Sequence, residues 1–120
     1  EASIPVSVSG LKCSFSGVEA ALMRRIDGGA APGAVAAEVY SVVARTLARL
    51  VSKASGGTGL CDVLLAGGVA SSALMREMLP ERLRRLNAKI RLYWAKPALS
   101  GDNAAGVALI GCDRLKEEGA

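Results

Sequence analysis

The chain has no histidine among its 120 residues. This absence excludes Ser-His-Asp and Cys-His catalysis within the chain, and it excludes a metal site built from imidazole ligands. Aromatic residues make up only 3% of the sequence, whereas hydrophobic residues make up 51%. We therefore expect an aliphatic, alanine-rich core, and the aromatic side chains are too few and too scattered for a base-stacking platform.

Cysteine and long apolar runs are also scarce. The three cysteines, Cys13, Cys61 and Cys112, are an odd number without CxxC spacing, which predicts buried, reduced thiols in a cytoplasmic protein. No apolar run reaches the roughly 18 residues of a membrane span, and the first residues do not resemble a signal peptide. Because the chain begins with Glu1 rather than Met, we expect either a domain of a longer protein or a processed chain.

Positive charge is concentrated in one segment of the chain. Residues 76–96 contain seven basic and two acidic side chains, so this segment carries a net charge of +5, compared with +4 for the whole chain. Such a segment either contacts the phosphates of a nucleic acid or forms a solvated helix face. The sequence leaves both interpretations open.

The pattern of apolar residues predicts an α/β domain with a parallel-type sheet. Strands that alternate with helices are typical of crossover connections, and the sheet is small for this number of helices, so we expect its first strands to lie outside the chain. In the first half we predict a short hairpin or two edge strands within 4–15, a helix over 18–26 and a loop over 27–33. A long helix over 34–54 follows, and a glycine cluster at 55–59 ends it. In the second half we predict strands over 62–66 and 89–94, a helix over 70–79 that Pro80 separates from another over 81–86, and a last helix over 102–116.

A glycine pair follows the first of the predicted parallel strands. Gly67 and Gly68 lie between an apolar run and a helix that starts with small residues. In open α/β sheets, ligands bind at this end of the strands, where bare backbone and helix N–H groups face them. Glycines also occur in such turns for geometry alone, and the spacing does not separate the two roles.

Asp102 stands at the start of the last predicted helix. The common role of aspartate at such a position is an N-cap, which accepts a hydrogen bond from an N–H of the first turn. Asn103 is an equally good cap. The other role of Asp102 is that of a carboxylate ligand for a metal or for a phosphate-bound cation.

Four segments, in order, resemble the motifs of one family. Residues 13–19 (C-S-F-S-G-V-E) resemble F-S-F-S-G-L-K, and residues 35–40 (V-A-A-E-V-Y) resemble I-A-A-S-F-Q. Residues 65–76 are similar to V-A-G-G-V-A-A-N-x-x-L-R, and residues 100–105 to C-T-D-N-A-A. The family is the catalytic subunit of tRNA threonylcarbamoyladenosine synthase, also called O-sialoglycoprotein endopeptidase or glycoprotease. The resemblance runs from about residue 9 to residue 112.

The resemblance implies a fold and a reaction. Residues 1–120 would be a single domain, the C-terminal ribonuclease-H-like lobe of a two-lobed protein of the actin-like ATPase superfamily. Family members transfer a threonylcarbamoyl group from an adenylate to an adenosine of tRNA. The isolated chain would be inactive without the missing N-terminal lobe, and a partner subunit is a further expectation. The older endopeptidase name is not supported, because the chain has no HExxH motif.

The resemblance also implies site residues. Gly67, Gly68 and Ser72 would contact the nucleotide, ATP or an adenylate. Asp102 would bind one divalent metal, iron or zinc, together with two histidines of the first lobe. The residues expected to contact tRNA are Arg76, Arg82, Arg84, Arg85, Lys89 and Arg91.

Three departures from the family motifs keep an alternative open. Ser72 stands where the family has asparagine, Glu19 where it has lysine, and Val39-Tyr40 where it has phenylalanine-glutamine. Ser72 loses an amide donor and Glu19 reverses a charge. The alternative is a degenerate nucleotide-binding or scaffold lobe that acts through a partner subunit, and a purely structural α/β domain is a third interpretation.

Overall fold

The structure, a computed structural model, describes residues 3–119. It has the predicted alternation of helices and strands, which confirms the α/β class. The strands are β1 (Ser7–Ser9), β2 (Lys12–Ser14), β3 (Asp62–Leu65) and β4 (Arg91–Trp94). The helices are α1 (Ser16–Asp27), α2 (Pro32–Thr58), α3 (Gly68–Ser71), α4 (Ala73–Leu86) and α5 (Ala104–Glu117), and a 3₁₀ turn occupies Pro97–Leu99.

The described strands form two small sheets. β1 and β2 pair antiparallel, which confirms the predicted hairpin. β3 and β4 pair parallel, from Asp62 opposite Arg91 to Leu65 opposite Trp94, and the segment that contains α3 and α4 connects them. The predicted parallel sheet is therefore present, and both of its strands end at the same edge.

The main core lies where α2 packs against α4. Ala44 and Ala48 of α2 are fully buried against Met75, Leu79 and Leu83 of α4, each set spaced four residues apart on its helix face. The small alanines let the two helices approach closely. The core is aliphatic, as the scarcity of aromatic residues predicts. Each fully buried large side chain contributes about 1.5–3 kcal/mol to stability.

The bounds of α2 differ from the predicted ones at both ends. Pro32 occupies the first turn, where a missing N–H costs nothing, so the helix starts inside the predicted loop. The glycine cluster at 55–59 ends the helix, as predicted, but four residues later than the predicted end at residue 54, because the helix continues through Thr58. It ends at Gly59, whose φ of +75° is left-handed and whose N–H donates to the Ser55 carbonyl at 2.8 Å. Buried Ser55 anchors this last turn, so packing overrides the low helix propensity of the glycines.

The prediction that Pro80 breaks the helix was also wrong. α4 runs without interruption from Ala73 to Leu86, with the exposed Pro80 inside it. Leu79 and Leu83, on either side of the proline, are buried against α2 and keep the helix axis in place. The predicted start near residue 70 was wrong as well, because extended backbone at Ser72 separates α3 from α4.

The three cysteines differ from their predicted burial. The prediction of buried thiols was wrong for Cys13 and Cys112, which are exposed, whereas Cys61 is half-buried; all three thiols are free. Cys13 lies on the short hairpin, and Cys112 lies on α5, none of whose residues is buried.

None of the helices between residues 3 and 119 combines the length and the apolar character that a bilayer span requires.

Substituting Leu79→Ala tests the α2–α4 core. Leu79 is completely buried, so the cavity should lower the free energy of unfolding by about 2–5 kcal/mol in denaturant titrations. Leu99→Ala is the matched control, since Leu99 is 75% exposed and its loss should change stability by no more than about 0.5 kcal/mol. Equal losses in the two variants would show that this interface is not the core.

Candidate functional site

The turn after β3 requires glycine at its first position. Gly67 has φ +100° and ψ 168°, a backbone conformation that is essentially restricted to glycine. Gly68 has an ordinary φ, and a Cβ added there would meet no atom within 4 Å. Both glycines are exposed, so the turn presents bare backbone to solvent at the edge where β3 ends.

The helix that follows the glycine pair is short. α3 has only four residues, so it lacks the aligned peptide dipoles of a long helix. Contact between a ligand and the N–H groups of this turn stays a prediction. Ser71 Oγ donates to the Gly68 carbonyl at 2.6 Å. The Ser72 hydroxyl accepts from the Met75 N–H at 3.5 Å and caps α4. Ser72, predicted to contact the nucleotide, therefore has a local structural role in this structure.

Arg76 connects the turn after β3 to the chain after β4. Its Nε donates to the Ala70 carbonyl at 3.2 Å, and its Nη2 donates to the Ala95 carbonyl at 2.7 Å. The guanidinium also lies 5.2 Å from the centroid of the Trp94 ring, within the range of a cation–π interaction. From the sequence, the specific role expected for Arg76 is contact with RNA. The motif over residues 65–76 ends on this arginine, but it does not reveal the bridge between the two segments.

An apolar cleft of about 390 Å³ opens beside the glycine turn. Its walls come from the turn, from α2, from the hairpin end and from β4. Lining residues include Phe15, Leu47, Leu65, Ala66, Val69 and Trp94. The volume and the largely apolar lining are typical of pockets for small organic ligands.

The loop after β4 reaches the same edge of the sheet. The 3₁₀ turn Pro97–Leu99 packs against α3, and the buried Ser100 donates through its Oγ to the Lys96 carbonyl at 3.1 Å. This anchored loop leads directly into Asp102 and α5. The structure therefore brings the loop that carries Asp102 next to the segment that follows the glycine pair.

Asn103, not Asp102, caps α5. The Gly106 N–H donates to Asn103 Oδ1 at 2.9 Å, so the interpretation of Asp102 as the cap was wrong. Asp102 is exposed, and within residues 3–119 its carboxylate has no hydrogen-bond or ion-pair partner. This carboxylate is therefore available to a ligand.

The described part of the chain does not assemble a metal site by itself. No group of three or more His, Cys, Asp or Glu residues within 3–119 is placed to hold an ion. A carboxylate oxygen such as that of Asp102 is a chemically suitable ligand for iron or zinc. A metal at Asp102 would need its other ligands from outside this part of the chain.

The basic residues predicted to contact RNA differ in their surroundings. Arg91 forms two hydrogen bonds to Asp62, at 2.6 and 2.8 Å, and these bonds and its charge lower the pKa of the Asp62 carboxyl. Arg84 and Arg85 both pair with Glu81. Arg76 is engaged as described above, Arg82 donates to Ser41 Oγ, and Lys89 is exposed. Contact with tRNA through these six residues stays a prediction.

The chain matches one known family over most of its length. The family model TsaD, tRNA N6-adenosine threonylcarbamoyltransferase, matches residues 1–109. The chain belongs to this family. A tRNA N6-adenosine threonylcarbamoyltransferase of Bordetella petrii is 36% identical over 114 residues, which cover 88% of this chain and 32% of that protein. One of Methanopyrus kandleri is 32% identical over 108 residues, 90% of this chain and 31% of that protein. The chain thus spans about a third of the length of these two family members.

Substitution of the glycine pair tests the turn geometry. Gly67→Ala should lower the free energy of unfolding by about 1–3 kcal/mol, because alanine is strained at this φ and ψ. Gly68→Ala is the matched control and should be close to neutral, since its backbone conformation is ordinary and open space surrounds it. Denaturant unfolding of both variants measures the difference. A neutral Gly67→Ala would mean that the turn adopts another conformation.

Proposed function

We propose that residues 1–120 are the C-terminal nucleotide-binding lobe of a two-lobed tRNA threonylcarbamoyl transferase. The observation that carries this proposal is the meeting of two loops at one edge of the parallel sheet. One loop presents the bare backbone of Gly67 and Gly68, and the other presents the carboxylate of Asp102, which has no partner among residues 3–119. Membership of the threonylcarbamoyltransferase family supports the reaction.

The nucleotide would lie against the glycine turn. Gly67 and Gly68 have no side chains to exclude a phosphate or a sugar, and the apolar cleft beside them can take up a heterocyclic ring. Arg76 fixes the relative position of the two loops through the Ala70 and Ala95 carbonyls. A fixed arrangement of the loops favours the transfer because it orients the threonylcarbamoyl group towards the tRNA adenosine that accepts it.

Asp102 would supply one ligand of an iron or zinc ion, and the other ligands would come from the N-terminal lobe. When bound, such an ion polarises a carbonyl or phosphoryl oxygen of the substrate as a Lewis acid. The contribution of this chain is a carboxylate without a competing internal partner, on a loop anchored by buried Ser100. The chain alone would not catalyse the transfer.

The uncovered face of the parallel sheet supports the assignment to a lobe of a larger ribonuclease-H-like, actin-like protein. Leu64 and Tyr93 are paired across β3 and β4, and they are 69% and 51% exposed. A parallel sheet is normally covered on both faces. We propose that further strands and the first lobe complete this layer.

A second candidate function rests on Ser72. Its hydroxyl caps α4, and serine lacks the amide that the family motif places at this position. A lobe with a weakened nucleotide contact would act as a scaffold for a partner subunit. The two functions differ in whether this lobe supports turnover.

A chimera tests the proposal through Asp102. The chain would replace the matching segment of the Bordetella petrii protein, and threonylcarbamoylation of tRNA would be measured with that protein's own cofactors and partners. Asp102→Asn should lower the rate by more than about 100-fold, because losing a metal ligand should cost more than losing one of its supporting groups. Asp113→Asn is the matched control, since Asp113 is an exposed residue of α5 paired only with Lys116, and it should retain the rate.

Three outcomes of this experiment are informative. Turnover by the 120-residue chain alone would contradict the division of the site between two lobes. A folded chimera that binds tRNA but does not turn over, and that Ser72→Asn restores, would favour the scaffold function. A folded chimera whose rate is unaffected by Asp102→Asn would overturn the assignment of that residue to the metal.

A further inference from the structure

Four arginines lie close together at the border of the interface between α2 and α4. They line a cleft of about 190 Å³ together with Ala48 and Leu86. Arg45 and Arg49 come from α2, and Arg82 and Arg85 come from α4. This cleft is separate from the apolar cleft beside the glycine turn, since the two share no lining residue.

The carboxylates near the cleft do not balance its positive charge. Arg45 pairs with Glu38 at 3.1 Å, and Arg85 shares Glu81 with Arg84. The other two arginines of the cleft make no ion pair within the described residues. Arg49 donates to the Val6 carbonyl at 3.4 Å, and Arg82 donates to Ser41 Oγ at 3.1 Å. Two of the four guanidinium charges are therefore uncompensated.

Arg82 is the central member of this group. It is half-buried, and its hydrogen bond to Ser41 of α2 holds the guanidinium between the two helices. Burial, followed by the charges of Arg45 and Arg85, lowers its pKa, whereas Glu38 acts in the opposite sense. Glu77 and Glu81 line a neighbouring depression that shares Arg82 and Arg85 with the cleft. An anion in the cleft would relieve the repulsion among the arginines.

We propose that this four-arginine cleft binds a phosphodiester group of an RNA backbone. Its volume is below the roughly 300–1,000 Å³ of sites for whole small molecules, so it suits a single phosphate group. Guanidinium groups bind phosphate oxygens through paired hydrogen bonds. The residues that line the cleft include no aromatic side chain on which a base could stack. We therefore expect the cleft to contact the sugar-phosphate backbone of the RNA and not its bases. The phosphate chemistry stands on these contacts alone, whereas the choice of RNA rests on the proposed function.

Binding of tRNA to this chain at a series of salt concentrations tests the proposal. The double variant Arg49→Gln/Arg82→Gln should bind tRNA about tenfold more weakly or worse, because charge-assisted hydrogen bonds are lost. The slope of log affinity against log salt should fall in magnitude by about one, as expected when one phosphate contact is lost. The double variant Arg24→Gln/Arg114→Gln removes two charges from exposed positions on α1 and α5 outside the cleft, and it should leave the slope unchanged.

A further variant and a melting experiment separate a loss of binding from a loss of folding. Arg82→Lys keeps the charge and removes the planar fork, so it should keep the salt slope while lowering affinity. Thermal melting of each variant shows whether it is folded. A folded double variant with unchanged affinity and slope would overturn the phosphate site.

Inorganic phosphate, titrated without RNA, distinguishes the sources of the phosphate group. If the double variant loses binding of inorganic phosphate but keeps that of tRNA, the cleft takes a free phosphate and the RNA assignment is overturned. A chain that binds RNA through the cleft but fails in the chimera would overturn only the transferase proposal.

Discussion

The packing of α4 on α2 is the interaction on which the rest of the described structure depends. Ala44 and Ala48 receive Met75, Leu79 and Leu83, and this contact fixes the helix that connects the two parallel strands. Since β3 precedes this connection and β4 follows it, their carboxyl ends lie at one edge. The polar border of the same interface brings arginines from both helices into one cleft. A single aliphatic contact thus positions both candidate sites.

The two loops at the sheet edge owe their arrangement to internal hydrogen bonds. Arg76 bridges the segment after β3 and the segment after β4, and buried Ser100 anchors the loop before Asp102. Gly67 allows the sharp departure from β3 that leaves the turn exposed. Loops held by such hydrogen bonds suit the proposed nucleotide and metal site, because less ordering is then required on binding.

Positive charge in this chain serves different roles according to its surroundings. Arg91 stabilises the beginning of the parallel pair through Asp62, and Arg76 joins two carbonyls and an aromatic ring. Arg49 and Arg82, by contrast, are held by neutral acceptors, so their charges remain available. The net charge of the segment over residues 76–96 does not separate these roles. The acceptor that each guanidinium contacts does.

The sequence by itself determined the α/β class, the hairpin, the parallel strands, the glycine turn and the order of the family motifs, because these depend on local periodicity and on residue types. It mispredicted the helix end near residue 55 and the break at Pro80, since packing against α2 and α4 outweighs local propensity there. Of the two caps that the sequence allowed for the last helix, the structure has Asn103. Only the tertiary structure showed that Arg82 contacts Ser41, 41 residues earlier in the chain. A contact between such distant residues forms only when the helices pack, so no local pattern encodes it.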